Sequence, residues 1–129
     1  MSLTWQLANL GAAVTLAFGI AGLFLPGKVA RLVSITPVGR PGVGAIRATY
    51  GGLFAMLAVV VLLAQERALF GMVGAAWAGA ATGRLFSMWR DESRETKNVA
   101  GFLLELGLGY LLLAPVLALW LRELSGAFG

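Results

Sequence analysis

Four apolar segments, each nearly free of charge, constrain this chain more than any other feature. They run about 5–25, 46–64, 68–88 and 98–121. The first carries no charged residue, the second only Arg47, the third only Arg84 and the fourth only Glu105. Each approaches the ~20 residues a helix needs to cross a ~30 Å hydrocarbon core. None alternates polar with apolar residues as a barrel strand would. Charged residues make up 12% of the 129-residue chain and hydrophobic ones 59%, and its mean hydropathy is +0.85. A soluble domain carries about a quarter charged residues. A chain this short cannot bury so much apolar surface in its own core. The expected fold is a single all-α domain over 1–129, a polytopic membrane protein whose four transmembrane helices form an antiparallel bundle.

The first segment is read as a retained helix and not a signal peptide. It lacks a basic start, and its apolar run exceeds the usual 7–15 residues. The loops differ in character. Gln65-Glu66-Arg67 makes a tight turn between segments two and three. Residues 28–35 set Val29, Leu32, Val33 and Ile35 among Lys28 and Arg31, a pattern suited to a short interfacial helix. Pro37 to Gly44 is rich in proline and glycine and reads as an irregular turn. Gly39-Arg40-Pro41-Gly42 lacks the preceding strand and spacing of a phosphate-cradling loop, so a plain connector is the better reading.

Lysine and arginine counts orient the segments. Lys28, Arg31, Arg40 and Arg47 flank the first loop, and Arg84, Arg90, Arg94 and Lys97 the third, against Arg67 and Arg122 on the opposite side. By the positive-inside rule, loops one and three face the cytoplasm and both termini face out. Trp5, Trp120 and Trp89 fall at segment ends, as interfacial anchors do.

In lipid, helices associate through small residues that let backbones approach. Gly71, Ala75, Gly79 and Gly83 recur every four residues along the third segment. Gly11, Thr15 and Gly19 lie on the first, and Gly101 and Gly109 on the fourth. These stripes are expected at helix packing interfaces within the bundle, or against another subunit.

Glu105 lies seven residues past Asn98, about 10 Å below the membrane edge at the helical rise. A carboxylate in hydrocarbon must be paired or protonated. Arg84 and Arg47 are available at similar depth, with Tyr50 and Ser87 beside them. Arg47, Tyr50, Arg84, Ser87 and Glu105 are therefore expected to form one layer. That layer is either an ion cluster fixing helix register or, with one positive charge in excess, a holder for a lipid phosphate or small anion. Proton relay through Glu105 would need further titratable groups across the membrane, and the first three segments supply no other carboxylate.

The chain has no Cys and no His. This removes disulfides, thiolate nucleophiles, the usual general base and the commonest metal ligand. No cofactor and no metal are expected. The basic residues flank apolar segments, so they mark topology and not a nucleic-acid surface. Expected partners are membrane lipids and another membrane protein or a second copy. The expected role is non-enzymatic: an accessory or scaffolding subunit. The rival is a small binder or carrier of a lipid headgroup or anion at the Arg/Glu layer.

At Arg47-Ala48-Thr49-Tyr50-Gly51-Gly52, Gly83-Arg84-Leu85, Ser87 and Glu105, the chain resembles a bacterial family of small four-helix membrane proteins, a domain of unknown function. That family has an Arg before Tyr-Gly-Gly at the start of its second helix, Gly-Arg near the end of the third and a Glu in the fourth. Its acidic residue shortly before the helix-two Arg is absent here, which leaves the pairing of Arg47 open. The resemblance covers nearly the whole chain. It implies a bacterial inner-membrane setting and the four-helix fold, and it implies no activity.

Overall fold

The computed structural model describes Met1 to Ala127, and the described residues are all helix, turn or loop, without a strand. Among the described residues there are five helices, against a bundle of four expected from the sequence with a short interfacial helix beside it. They are α1 (Leu3–Phe24), α2 (Pro26–Leu32), α3 (Gly39–Ala64), α4 (Arg67–Arg90) and α5 (Thr96–Ala127). The additional one, α2, covers most of the expected interfacial segment at 28–35. Among the described residues, three helices, α1, α3 and α5, are long and apolar enough to cross a membrane. α4 has 24 residues, but glycine and alanine occupy much of it where the others carry leucine and valine.

The chain divides into two compact units: Ala12–Ala64, and Met1–Gly11 together with the chain from Gln65 onward. α1 contributes to both.

In the Ala12–Ala64 unit, Pro26 explains why α1 stops at Phe24. A proline has no N–H to continue the ladder, and its fixed φ suits the first turn of the next helix. α2 ends in a Schellman motif. Ser34 adopts φ 60°, its N–H reaches the Arg31 carbonyl at 3.3 Å, and the Ile35 N–H reaches the Ala30 carbonyl at 2.9 Å. Glycine is the usual residue at that left-handed position. Val29 and Ala30 are buried with Ile46, and Ala21, Val33 and Tyr50 pack around them.

The expected irregular turn at 37–44 is instead the start of α3, which begins seven residues before the predicted position 46. Gly39, at φ 61°, opens the helix. Pro41 falls in its first turn, where a missing N–H costs nothing, and the Gly42 N–H closes on the Val38 carbonyl at 3.1 Å. A proline read as a breaker is here a helix starter. Between Gly39–Ile46 and Phe54–Ala64, the segment Arg47–Leu53 is wound as π-helix. Arg47 thus lies well inside α3 and not at its start. A Cβ at Gly51 would stand 2.8 Å from the Leu23 backbone nitrogen, and Gly19 and Gly22 likewise face the backbone of Ala55 and Tyr50. The four glycines and alanines at this crossing let the two backbones touch.

In the other unit, α4 and α5 form an antiparallel hairpin. Gly71 faces Val116, Gly74 faces Leu112 and Leu113, Gly109 faces Ala78, and Gly101 faces Arg84. The buried face of α4 is Phe70, Val73, Gly74, Trp77 and Ala81. Opposite it, α5 buries Glu105, Leu108, Gly109, Leu112, Ala114 and Pro115. Pro115 lies mid-helix, which membrane helices tolerate better than soluble ones. α5 also extends beyond the predicted end at 121. The start of α1 packs on this hairpin. Trp5 meets Phe70 edge-on with centroids 5.6 Å apart, and the Arg67 guanidinium lies 6.0 Å from the Trp5 ring. Asn9 and Gln65 exchange amide hydrogen bonds at 2.7 and 3.2 Å, so Asn9 ties α1 to the α3–α4 turn.

Candidate functional site: the Arg84–Glu105 clamp

The centre of the candidate layer is a fork-to-fork ion pair across the α4–α5 hairpin. Arg84 Nε donates to Glu105 Oε2 at 2.9 Å and Nη2 to Oε1 at 2.7 Å. Nη1 donates to Asn98 Oδ1 at 2.7 Å. Parallel, charge-assisted bonds of this kind are the strong ones. The side chains are 28% and 12% exposed, so the pair is mostly withdrawn from solvent.

Gly101 makes the geometry possible. A Cβ there would stand 2.8 Å from Arg84 Cζ and 2.9 Å from Nε. The guanidinium therefore lies flat over a bare stretch of α5. Asn98, Gly101 and Glu105 stand at spacings of three and four, one face of a helix, and present an acceptor, a gap and a carboxylate in sequence.

The network continues into the α4–α5 loop. Asn98 Nδ2 donates to the Ser93 carbonyl at 2.8 Å and to its hydroxyl oxygen at 3.1 Å. Ser93 Oγ donates to Glu95 Oε2 at 2.7 Å. This hydroxyl, with the Glu95 backbone N–H, holds the exposed Glu95 carboxyl below its ordinary pKa. Asn98 is the member that the sequence reading used only as a depth marker. Its position one turn before Gly101 on the Glu105 face was the available signal.

The other predicted members of the layer have partners elsewhere. Ser87 Oγ donates to Asp91 Oδ2 at 2.8 Å, tying the end of α4 to its own cap. Arg47 and Tyr50 belong to the Ala12–Ala64 unit. Arg47 Nη1 donates to the Leu23 carbonyl, a cation on the negative end of α1 where the helix has just run out of donors. Tyr50 stacks edge-on with Phe54 at 5.8 Å.

The small-residue repeat on α4 divides between two faces. Gly71 packs on Val116, but Ala75, Gly79 and Gly83 are exposed, and a Cβ at Gly79 or Gly83 would meet nothing within 4 Å. At 3.6 residues per turn, a spacing of four advances about 40° per step. The stripe starts at the flank of the buried face at Gly71 and has rotated off it by Gly79. Gly101 and Gly109 lie in the α4–α5 contact, and Gly74 joins them there.

These features define a small all-α protein with membrane-helix character, built on close backbone crossings and one buried ion pair. A family model described as Domain of unknown function (DUF4345) matches residues 4–120, and the chain belongs to that family. No curated protein and no solved structure matches the chain.

Proposed function

We propose that this is a non-enzymatic subunit of the bacterial cytoplasmic membrane. Helices α1, α3, α4 and α5 cross the bilayer, with both termini outside, and the outward face of α4 packs on a transmembrane helix of a larger complex or a second copy. α4 runs antiparallel along α5 from Gly71–Val116 to Arg84–Gly101, so a membrane-crossing α5 takes α4 across with it. The pairing with Glu105 removes the main cost of carrying Arg84 through.

The observation that carries the reading is the character of the α4 surface. Its exposed middle consists of Ala75, Ala76, Gly79, Ala80, Thr82 and Gly83, with Met72 and Phe86 exposed at its two ends. The exposed face of α5 carries Leu103, Leu104, Leu106, Tyr110, Leu117 and Trp120. Leucines suit contact with lipid tails, whereas smooth small-residue faces are the surfaces on which membrane helices approach one another. The rival reading, an anion held by Arg84, is weakened by the engagement of all three guanidinium nitrogens with Glu105 and Asn98. Both Glu105 oxygens are occupied as well, which disfavours acid–base work there.

Gly79→Leu tests the proposal. It fills open space in the single chain, so the hairpin should fold normally while the native assembly, solubilised in mild detergent, drops to the mass of the single chain. Gly74→Leu is the contrast, because its Cβ would stand 2.8 Å from Leu113 Cγ and should damage the hairpin itself. A wild-type chain that runs alone from native membranes would refute the accessory role.

A further inference from the structure

The charge of this protein is divided unevenly between its two units. Every acidic residue lies outside Ala12–Ala64. Within that unit stand Lys28, Arg31, Arg40 and Arg47. Six basic and six acidic residues balance in the rest of the chain, so the formal net charge of +4 belongs entirely to a stretch of twenty residues. All four are exposed, and Arg47 donates to the Leu23 carbonyl.

The same stretch exposes apolar side chains. Leu25, Leu32, Ile35 and Val38 are all at least two-fifths exposed, Val38 at 85%. α2 is fixed to its unit by Val29 and Ala30, buried against Ile46. At 100° per residue, Lys28, Arg31 and Leu32 share the arc opposite Val29 and Ala30. The inward side is therefore spent on holding α2 in place, and the outward side pairs cations with leucine. That combination is the mark of a helix lying at the boundary between headgroups and acyl chains.

We propose that α2 and its flanks, with Lys28, Arg31 and Arg40 as the cations, form a docking surface for the phosphates of anionic phospholipids. The apolar residues Leu25, Leu32, Ile35 and Val38 enter the acyl boundary beside them. This rests on the membrane reading above but uses none of the Arg84–Glu105 clamp. The occupant is a lipid and not a free anion, because the cations are interleaved with exposed hydrophobic side chains that only acyl chains would cover. The loop at 91–95 is the internal comparison: its Arg90, Arg94 and Lys97 stand among Asp91, Glu92 and Glu95, so it offers no unbalanced positive charge.

The test uses the full chain, purified in detergent and exposed to mixed micelles with equal mole fractions of phosphatidylglycerol and phosphatidylcholine. Native mass spectrometry then reads which lipid is retained. The wild type should retain phosphatidylglycerol preferentially. A basic residue at an anionic surface is worth roughly fivefold in partitioning, so Lys28→Gln/Arg31→Gln/Arg40→Gln should cut the preference by about a hundredfold. Lys28→Arg/Arg40→Lys, which keeps the charge, should retain it, as should Arg90→Gln/Arg94→Gln/Lys97→Gln. Added salt should weaken it. Equal retention of the two lipids by the wild type, an unchanged preference in the first triple variant, or an equal loss in the 90–97 variant would each overturn the proposal. So would displacement of the lipid by inorganic phosphate alone, which would assign the cations to a soluble anion. Release of the chain from native membranes by alkaline carbonate would overturn the membrane reading itself; a carbonate-resistant chain without lipid preference refutes only this inference.

Discussion

Glu105→Gln removes one charge from the clamp and changes almost nothing in shape. In the wild type, Glu105 accepts two bonds from Arg84, at 2.9 and 2.7 Å. Glutamine keeps one acceptor oxygen and turns an amide NH2 toward a guanidinium nitrogen, so one bond loses its anionic acceptor and the other becomes a clash of donors. Hydrogen bonds to charged groups are worth ~1.5–3 kcal/mol each, and stripping one partner from a buried pair costs ~3–5 kcal/mol. Arg84 is 28% exposed and keeps Asn98, which places the expected loss toward the lower side, about 2–4 kcal/mol. The assay is equilibrium unfolding of the reconstituted chain in mixed micelles of rising SDS fraction, followed by tryptophan fluorescence, since Trp77 is buried on α4. Arg84→Met/Glu105→Leu is the companion: with both charges gone, no unpaired ion remains, and stability should return to within about 1 kcal/mol of wild type. A loss below ~0.5 kcal/mol in Glu105→Gln, the size of a surface substitution, would refute the clamp. A double variant as unstable as the single one would show that the cost was packing and not charge.

Arg47→Gln should unpin the end of α1 from α3. Losing a cation on helix-terminal carbonyls costs about 1 kcal/mol, and hydrogen exchange should rise first across Leu25 to Val33 while the α4–α5 hairpin stays protected. The α4–α5 loop should loosen in acid. Glu95 is held below its ordinary pKa in the fold, so the unfolded chain binds a proton more readily. The order that this carboxylate contributes is complete above the ordinary carboxylate range and is lost as pH falls through the depressed value. NMR shifts of Ser93 and Asn98 should follow that titration, and an unchanged titration in Glu95→Gln would assign it to another group.

The long helices and the Arg84–Glu105 pairing were legible in the sequence because each rests on a strong, local penalty. Unsatisfied backbone in lipid forces helices, and a lone carboxylate in an apolar run forces a partner. What escaped was decided by details with no local penalty. Pro41 breaks a helix in its interior and starts one in its first turn, and only the fold distinguishes the two at 39–46. The π segment at Arg47–Leu53 follows from a backbone crossing at Gly22 and Gly51 that no spacing rule encodes. The α4 repeat at Gly71, Ala75, Gly79 and Gly83 leaves the α5 contact for a geometric reason: a repeat of four looks like one face over two turns but rotates off it over three. Asn98 was overlooked as a partner because an amide at a helix edge has many ordinary uses. Its role depends on the gap left by Gly101, which lets Arg84 reach past toward both ends.

The clamp also bears on orientation. Arg84 was counted among the eight basic residues on the cytoplasmic side, but a guanidinium bonded to Glu105 across the hairpin is not a loop charge. Arg47, inside α3 and bonded to the Leu23 carbonyl, is not one either, and removing both leaves six against Arg67 and Arg122. Arg90, Arg94 and Lys97 share their loop with Asp91, Glu92 and Glu95, yet acidic residues weigh little in setting topology, since the rule counts lysine and arginine and not net charge. The bias therefore persists, shared equally by Lys28, Arg31 and Arg40 and by Arg90, Arg94 and Lys97. A reporter fused after Gly129 should be labelled from the periplasm. Introducing lysines into the Gln65-Glu66 turn, the weakest point of the count, should be the least costly way to turn the chain over. If neutralising both the 28–40 and the 90–97 clusters leaves the orientation fixed, lysine and arginine counts do not set it.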